Sequence, residues 1–142
     1  NSLIHKNYKE AKKIVNSLGS SSVVGAIQFD TRNEKFMTLY EMAREFTNLS
    51  LIETIKKYID LGVGEILLAD INRDGCYAGL NEKLIDILFE FRDKAPLLIG
   101  GGFSQKNQIK KFREIASGLV ISSAFHYKKI NIKELISYNN TL

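Results

Sequence analysis

Two aspartates, Asp70 and Asp74, flank a polar loop that leaves the apolar run Ile66-Leu67-Leu68-Ala69. In parallel α/β folds, the loop at the carboxyl end of a strand is where chemistry sits. A carboxylate placed there can accept a proton and later return it, provided its surroundings tune its pKa. The same aspartates can instead cap the loop or pair with Arg73. Metal binding is the rival chemistry, but neither His5 nor His126 stands near them and no ligand-spaced cluster is present. The sequence therefore calls for no metal and no cofactor.

A second set of residues suits an anion. Gly100-Gly101-Gly102 follows one apolar run and precedes a helical pattern, and Ser122-Ser123 follows the next run. Glycines let the backbone approach a phosphate, whose oxygens backbone N–H groups can bind. A tight turn with no ligand explains the same glycines, but two adjacent strand ends of this kind favour phosphate. Gln28 follows the first apolar run, where a further carboxylate could serve. An amide only hydrogen-bonds; it moves no proton at neutral pH. Asp30 lies two residues on, with its direction unspecified by the sequence. Cys76 has no base beside it and reads as an incidental loop thiol. His126 reads as structural.

These residues need elements to hold them. Apolar spacing predicts helices over 5–18, 48–61, 81–92, from Ser104 through Ile115, and around Ile132-Leu135-Ile136. Short apolar runs predict strands at 23–27, 66–69, 96–99 and 119–121, with a small extra strand at 36–40. Helices alternating with strands indicate a parallel sheet joined by right-handed crossovers. Four such strands make a small open sheet or half of an eight-stranded barrel.

The bulk composition sets outer limits. The 142 residues make one domain, expected over 1–142, with 44% hydrophobic and 25% charged residues. The net charge of +4 is spread along helical patterns, and no basic block interleaved with aromatics suggests nucleic acid. No apolar run approaches the roughly 18 residues that span a bilayer. A single cysteine and no signal-like start fit a cytoplasmic protein.

Several segments, in this order and spacing, carry a family resemblance. They are Gly62-Val63-Gly64-Glu65-Ile66-Leu67-Leu68, Arg73-Asp74-Gly75 with Gly79 beyond, the glycine run, and Ser123-Ala124-Phe125-His126-Tyr127. Together they resemble the cyclase subunit of imidazole glycerol phosphate synthase. The resemblance covers essentially the whole chain but only the second half of that family's (βα)8 TIM barrel. It implies strands five to eight with their helices, residues 1–4 corresponding to the end of strand four.

The resemblance also implies a function. Ammonia from a glutaminase (amidotransferase) subunit would react with a bis-phosphorylated ribulosyl-carboxamide, giving imidazole glycerol phosphate and aminoimidazole carboxamide ribotide in histidine biosynthesis. That is lyase chemistry on a phosphorylated small molecule. Asp74 matches a family aspartate, while Gln28 stands where a catalytic aspartate is expected. Gly101, Gly102, Ser122 and Ser123 match one phosphate site; Asn1 and Ser2 match the other, with serine for the usual threonine. Asn72 and Cys76 depart from the family's aspartate and threonine.

Whether this chain is itself an enzyme is left open by Gln28 and by the absent first half. The alternatives are a cyclase-like paralogue serving surface-sugar amidation with an amidotransferase, an inactive phosphate-binding half-barrel, and the sister phosphoribosyl isomerase. A cut barrel would also expose strand edges and an apolar interior, so the expected partners include the missing amino-terminal half or a second copy.

Overall fold

The computed structural model describes residues 2–32 and 35–141. Among them six strands form one sheet in the order β3-β2-β1-β4-β5-β6. The strands are β1 (Val24–Arg32), β2 (Lys35–Tyr40), β3 (Glu45–Ser50), β4 (Glu65–Asp70), β5 (Leu97–Gly100) and β6 (Gly118–Val120). β1, β4, β5 and β6 run parallel, as the alternating pattern requires. β2 and β3 extend the sheet as an antiparallel hairpin beside β1. The result is a partial (βα)8 barrel.

The helices are α1 (Ser2–Lys6), α2 (Tyr8–Leu18), α3 (Leu51–Leu61), α4 (Leu84–Leu88), α5 (Asn107–Phe112), α6 (Ser123–His126) and α7 (Ile132–Asn139). Local chemistry sets their ends. Asn7 caps α2 by accepting the Glu10 N–H at 3.1 Å. Ser50 and Glu53 form a reciprocal capping box on α3, and Gly62 ends α3 in the left-handed region.

Several expectations need correction. The segment expected as the end of strand four, residues 1–4, contributes Ser2 onward to a helix. The first parallel strand does not stop at Ile27. It runs to Arg32 because β2 pairs with Gln28, Phe29, Asp30 and Thr31. The helix expected at 48–61 begins only at Leu51, since 45–50 is the strand β3. The helix expected over 81–92 is α4 followed by a 3-10 turn at Phe89–Phe91.

The sheet's two faces differ. Ile27, Leu68 and Ile99 lie on one register line, and all are fully buried beneath the helices. The alternate positions form two other lines: Ala26, Leu67, Leu98 and Gly118, then Gln28, Ala69, Gly100 and Val120. Most of these are half-buried, and Val120 is exposed. In a barrel this face would line the interior. The helix-covered face carries the core, where the Tyr58 ring occupies the space a Cβ at Gly25 would need and its hydroxyl donates to Ala26 O at 3.1 Å.

Candidate active site at the strand ends

The loop 70–81 begins at Asp70, the last residue of β4, and is tied down along its length. Asp70 is 2% exposed. Its Oδ1 accepts the Asn72 N–H at 3.1 Å, its Oδ2 accepts Asn81 Nδ2 at 3.2 Å, and Arg73 Nε stands 3.8 Å from Oδ2. Burial raises its pKa, opposed by the Asn81 and Asn72 hydrogen bonds and by Arg73. Asp70 is thus the loop's internal anchor, the capping and Arg73-pairing role. Arg73 Nη1 donates to Ala78 O and Gly79 O at 3.1 and 3.0 Å, closing the loop from within.

The glycine run lets this loop dock. A Cβ at Gly101 (φ +97°) would lie 2.5 Å from Asp70 O. A Cβ at Gly102 (φ +90°) would lie 2.8 Å from Gly79 O and from Arg73 Cβ. Gly79 N donates to Gly102 O at 2.8 Å. Loop packing alone therefore demands glycine at 101 and 102, whatever ligand binds.

Beyond that packing, a pocket of about 130 Å³ opens at the carboxyl ends of β5 and β6. Asp74, Gly101, Gly102, Ser122 and Ser123 line it. Five residues singled out from the sequence thus meet at one place. Asp74 is exposed, and its N–H is held by Asp70 O at 3.1 Å. Serine hydroxyls and close-approach glycines beside a carboxylate can hold a phosphoryl group within reach of an acid–base group.

The remaining candidates lie elsewhere. Gln28 sits within β1 on the open face, in register with Ala69. Strand alternation places Asp30 on the same face as Gln28, which the sequence left undetermined. Asn72 Nδ2 donates to Asp30 Oδ1. Ser2 Oγ accepts the Glu41 N–H at 3.0 Å in the β2–β3 turn. Asn1 lies outside the described residues. Cys76 is exposed, its Sγ 3.6 Å from Asp74 O, and His126 packs edge-on against Tyr127. Ser104 does not cap α5; Gln108 Oε1 accepts the Ser104 and Gln105 N–H groups instead. Among the described residues no group of three or more His, Cys, Asp and Glu could hold a metal ion. Among them, too, no helix is long and apolar enough to cross a membrane.

Sequence reasoning missed Tyr77. Its hydroxyl donates to Ser123 O at 2.7 Å. Only its place between Asp74 and Gly79 hinted at a role.

Four parallel strands with helices on one face and a glycine- and serine-lined pocket at their carboxyl ends, the sheet extended by an antiparallel hairpin, define a partial (βα)-barrel protein. Residues 1–131 match the model of the family described as "Histidine biosynthesis protein", and the chain belongs to that family. The imidazole glycerol phosphate synthase subunit HisF of Hydrogenobaculum sp. (strain Y04AAS1) is 33% identical over 134 residues, covering 92% of this chain and 51% of that protein. The same subunit from Thermococcus onnurineus (strain NA1) is 30% identical over 130 residues, covering 92% and 50%. A putative HisF subunit of Leptospira borgpetersenii is 32% identical over 143 residues, covering 98% and 56%. The chain spans about half the length of the curated relatives it matches.

Proposed function

We propose that the chain forms the carboxyl-terminal half of a cyclase-like barrel. It binds one phosphoryl group of a phosphorylated small-molecule substrate at Gly101, Gly102, Ser122 and Ser123, with Asp74 beside it as an acid–base group. The observation that carries this is the convergence of these five residues on one pocket. By likeness to the HisF subunits, ammonia would come from a glutaminase partner, and the product would be imidazole glycerol phosphate. The open sheet face takes either the matching half-barrel or a second copy, because its half-buried apolar line would otherwise face water.

A second reading has one observation in its favour. Gln28 cannot titrate, so a proton that an aspartate would carry at that position needs another group. This favours a cyclase-like paralogue that amidates a different substrate, as in surface-sugar amidation. Complementation of a histidine-requiring strain by the full gene separates the two: growth supports histidine synthesis, and no growth supports the paralogue.

The purified chain, given ammonium salt and the bis-phosphorylated carboxamide, is expected to bind phosphate but show no turnover. Turnover by the isolated chain would overturn its reading as an incomplete half. Failure to bind inorganic phosphate, read by calorimetry, would overturn the assignment of the pocket. Sedimentation at micromolar concentration checks the partner claim; a monodisperse monomer counts against self-pairing.

A further inference from the structure

We infer that Tyr77 is a positioning residue that holds the loop 70–81 across the pocket, keeping Asp74 beside the phosphoryl group; this rests on the phosphate reading above. Among the described residues, two hydrogen bonds join residues 76–80 to the chain outside the loop. Gly79 N donates to Gly102 O at 2.8 Å, and Tyr77 Oη donates to Ser123 O at 2.7 Å. Gly102 and Ser123 both line the pocket, one just past the end of β5 and the other at the start of α6. The loop that carries Asp74 is therefore pinned to two segments that line the pocket.

The pin at Tyr77 is made against local preference. Tyr77 has φ +55°, a left-handed conformation uncommon for a bulky residue, and such conformations persist where the surroundings over-determine them. Two contacts hold it: the hydroxyl bond to Ser123 O, and an edge-on packing against Tyr127 with ring centroids 6.4 Å apart. Tyr127 follows α6 directly, so both contacts reach the α6 segment. Occupancy of the pocket at Ser123 and order in the loop that carries Asp74 become one coupled event.

The test uses the purified chain with inorganic phosphate as the probe. In the unmutated chain, phosphate binds and slows amide hydrogen exchange over residues 74–79. Tyr77→Phe keeps the ring and loses the donor. It is expected to bind phosphate about three- to tenfold more weakly, the size of one lost hydrogen bond. It is also expected to lose the phosphate-dependent protection of 74–79, which a merely structural role for Tyr77 would leave in place. Equal affinity and equal protection in the variant overturn the inference and leave the phosphate reading standing. No phosphate binding by the unmutated chain overturns both. Where Tyr77→Phe does not fold, NMR of the unmutated chain with labelled tyrosine decides. A Tyr77 ring resonance that moves on phosphate titration supports the coupling; one unmoved at saturation overturns it.

Discussion

Asn81 donates its side-chain amide to Asp70 Oδ2 across 3.2 Å, and the two residues are 8% and 2% exposed. This bond joins the end of β4 to the residue that closes the loop before α4. Asn81→Ala removes the donor and leaves a buried carboxylate oxygen short of a partner. The cost is about 1–3 kcal/mol, read by urea unfolding. A change below about 0.5 kcal/mol, typical of a neutral surface substitution, would show that the bond does not anchor the loop.

The same carboxylate gives stability a pH dependence of defined sign. Burial raises the pKa of folded Asp70 above its unfolded value. The folded state then holds the proton more tightly, so this contribution is full below the unfolded pKa. It is lost as pH rises through the folded pKa. Asp70→Asn abolishes that titration. The unfolding free energy of the variant minus that of the parent should increase as pH rises from about 3 to 7. A difference that stays flat or falls over that range contradicts the burial argument.

Two glycines at positive φ should respond differently to alanine. Gly75 has φ +75° with nothing within 4 Å of an added Cβ, so Gly75→Ala carries only the left-handed backbone cost, about 1–2 kcal/mol. Gly101→Ala adds a Cβ 2.5 Å from Asp70 O, so strand and loop must separate. Its loss should exceed that of Gly75→Ala by at least about 1 kcal/mol, as overpacking commonly does. Thermal melts of both variants check the order, and equal losses would refute it.

A buried threonine trio fastens the hairpin to α3. Thr38 Oγ1 lies 2.7 Å from Thr47 Oγ1 on β3, 3.0 Å from Thr54 Oγ1 on α3, and 3.1 Å from Leu49 O. Thr38→Val keeps the shape and removes the shared hydroxyl. The expected loss is about 1–3 kcal/mol by chemical denaturation, with Thr38→Ser recovering part of it. An unchanged midpoint in Thr38→Val would mean that the neighbouring carbonyls satisfy Thr47 and Thr54 unaided.

The parallel strands and the site pocket were legible because their signals are local. Continuous apolar runs such as 66–69 mark strands buried on the sheet, and small residues at 100–102 and 122–123 mark their ends. The strand β3 was not legible. Its turn is made by Glu41, Met42 and Ala43, all at positive φ, with no glycine, proline or asparagine to announce it. Its residues bury a hydroxyl network rather than an apolar stripe, so Thr47 carries no periodic signal. The start of α5 is hidden for a similar reason: Gln108 reaches back to the Ser104 and Gln105 N–H groups, and the helix begins at Asn107 with no serine cap. Which side of β1 Asp30 takes depends on β1 continuing past Ile27, a continuation held by β4 as far as Phe29 and by β2 beyond it.

The hairpin has a consequence for the order of assembly. Leu39 pairs with Phe46 only a short way along the chain, whereas Leu67 must find Leu98 across a whole intervening loop and helix. Closing the short loop costs less chain entropy, so β2, β3 and the capped α3 can form before the parallel ladder zips up. The added antiparallel pair thereby offers the slow parallel sheet a nucleus against which β1 can align. In kinetic experiments, Thr38→Val should slow refolding, while Ile99→Val at the far strand should chiefly speed unfolding.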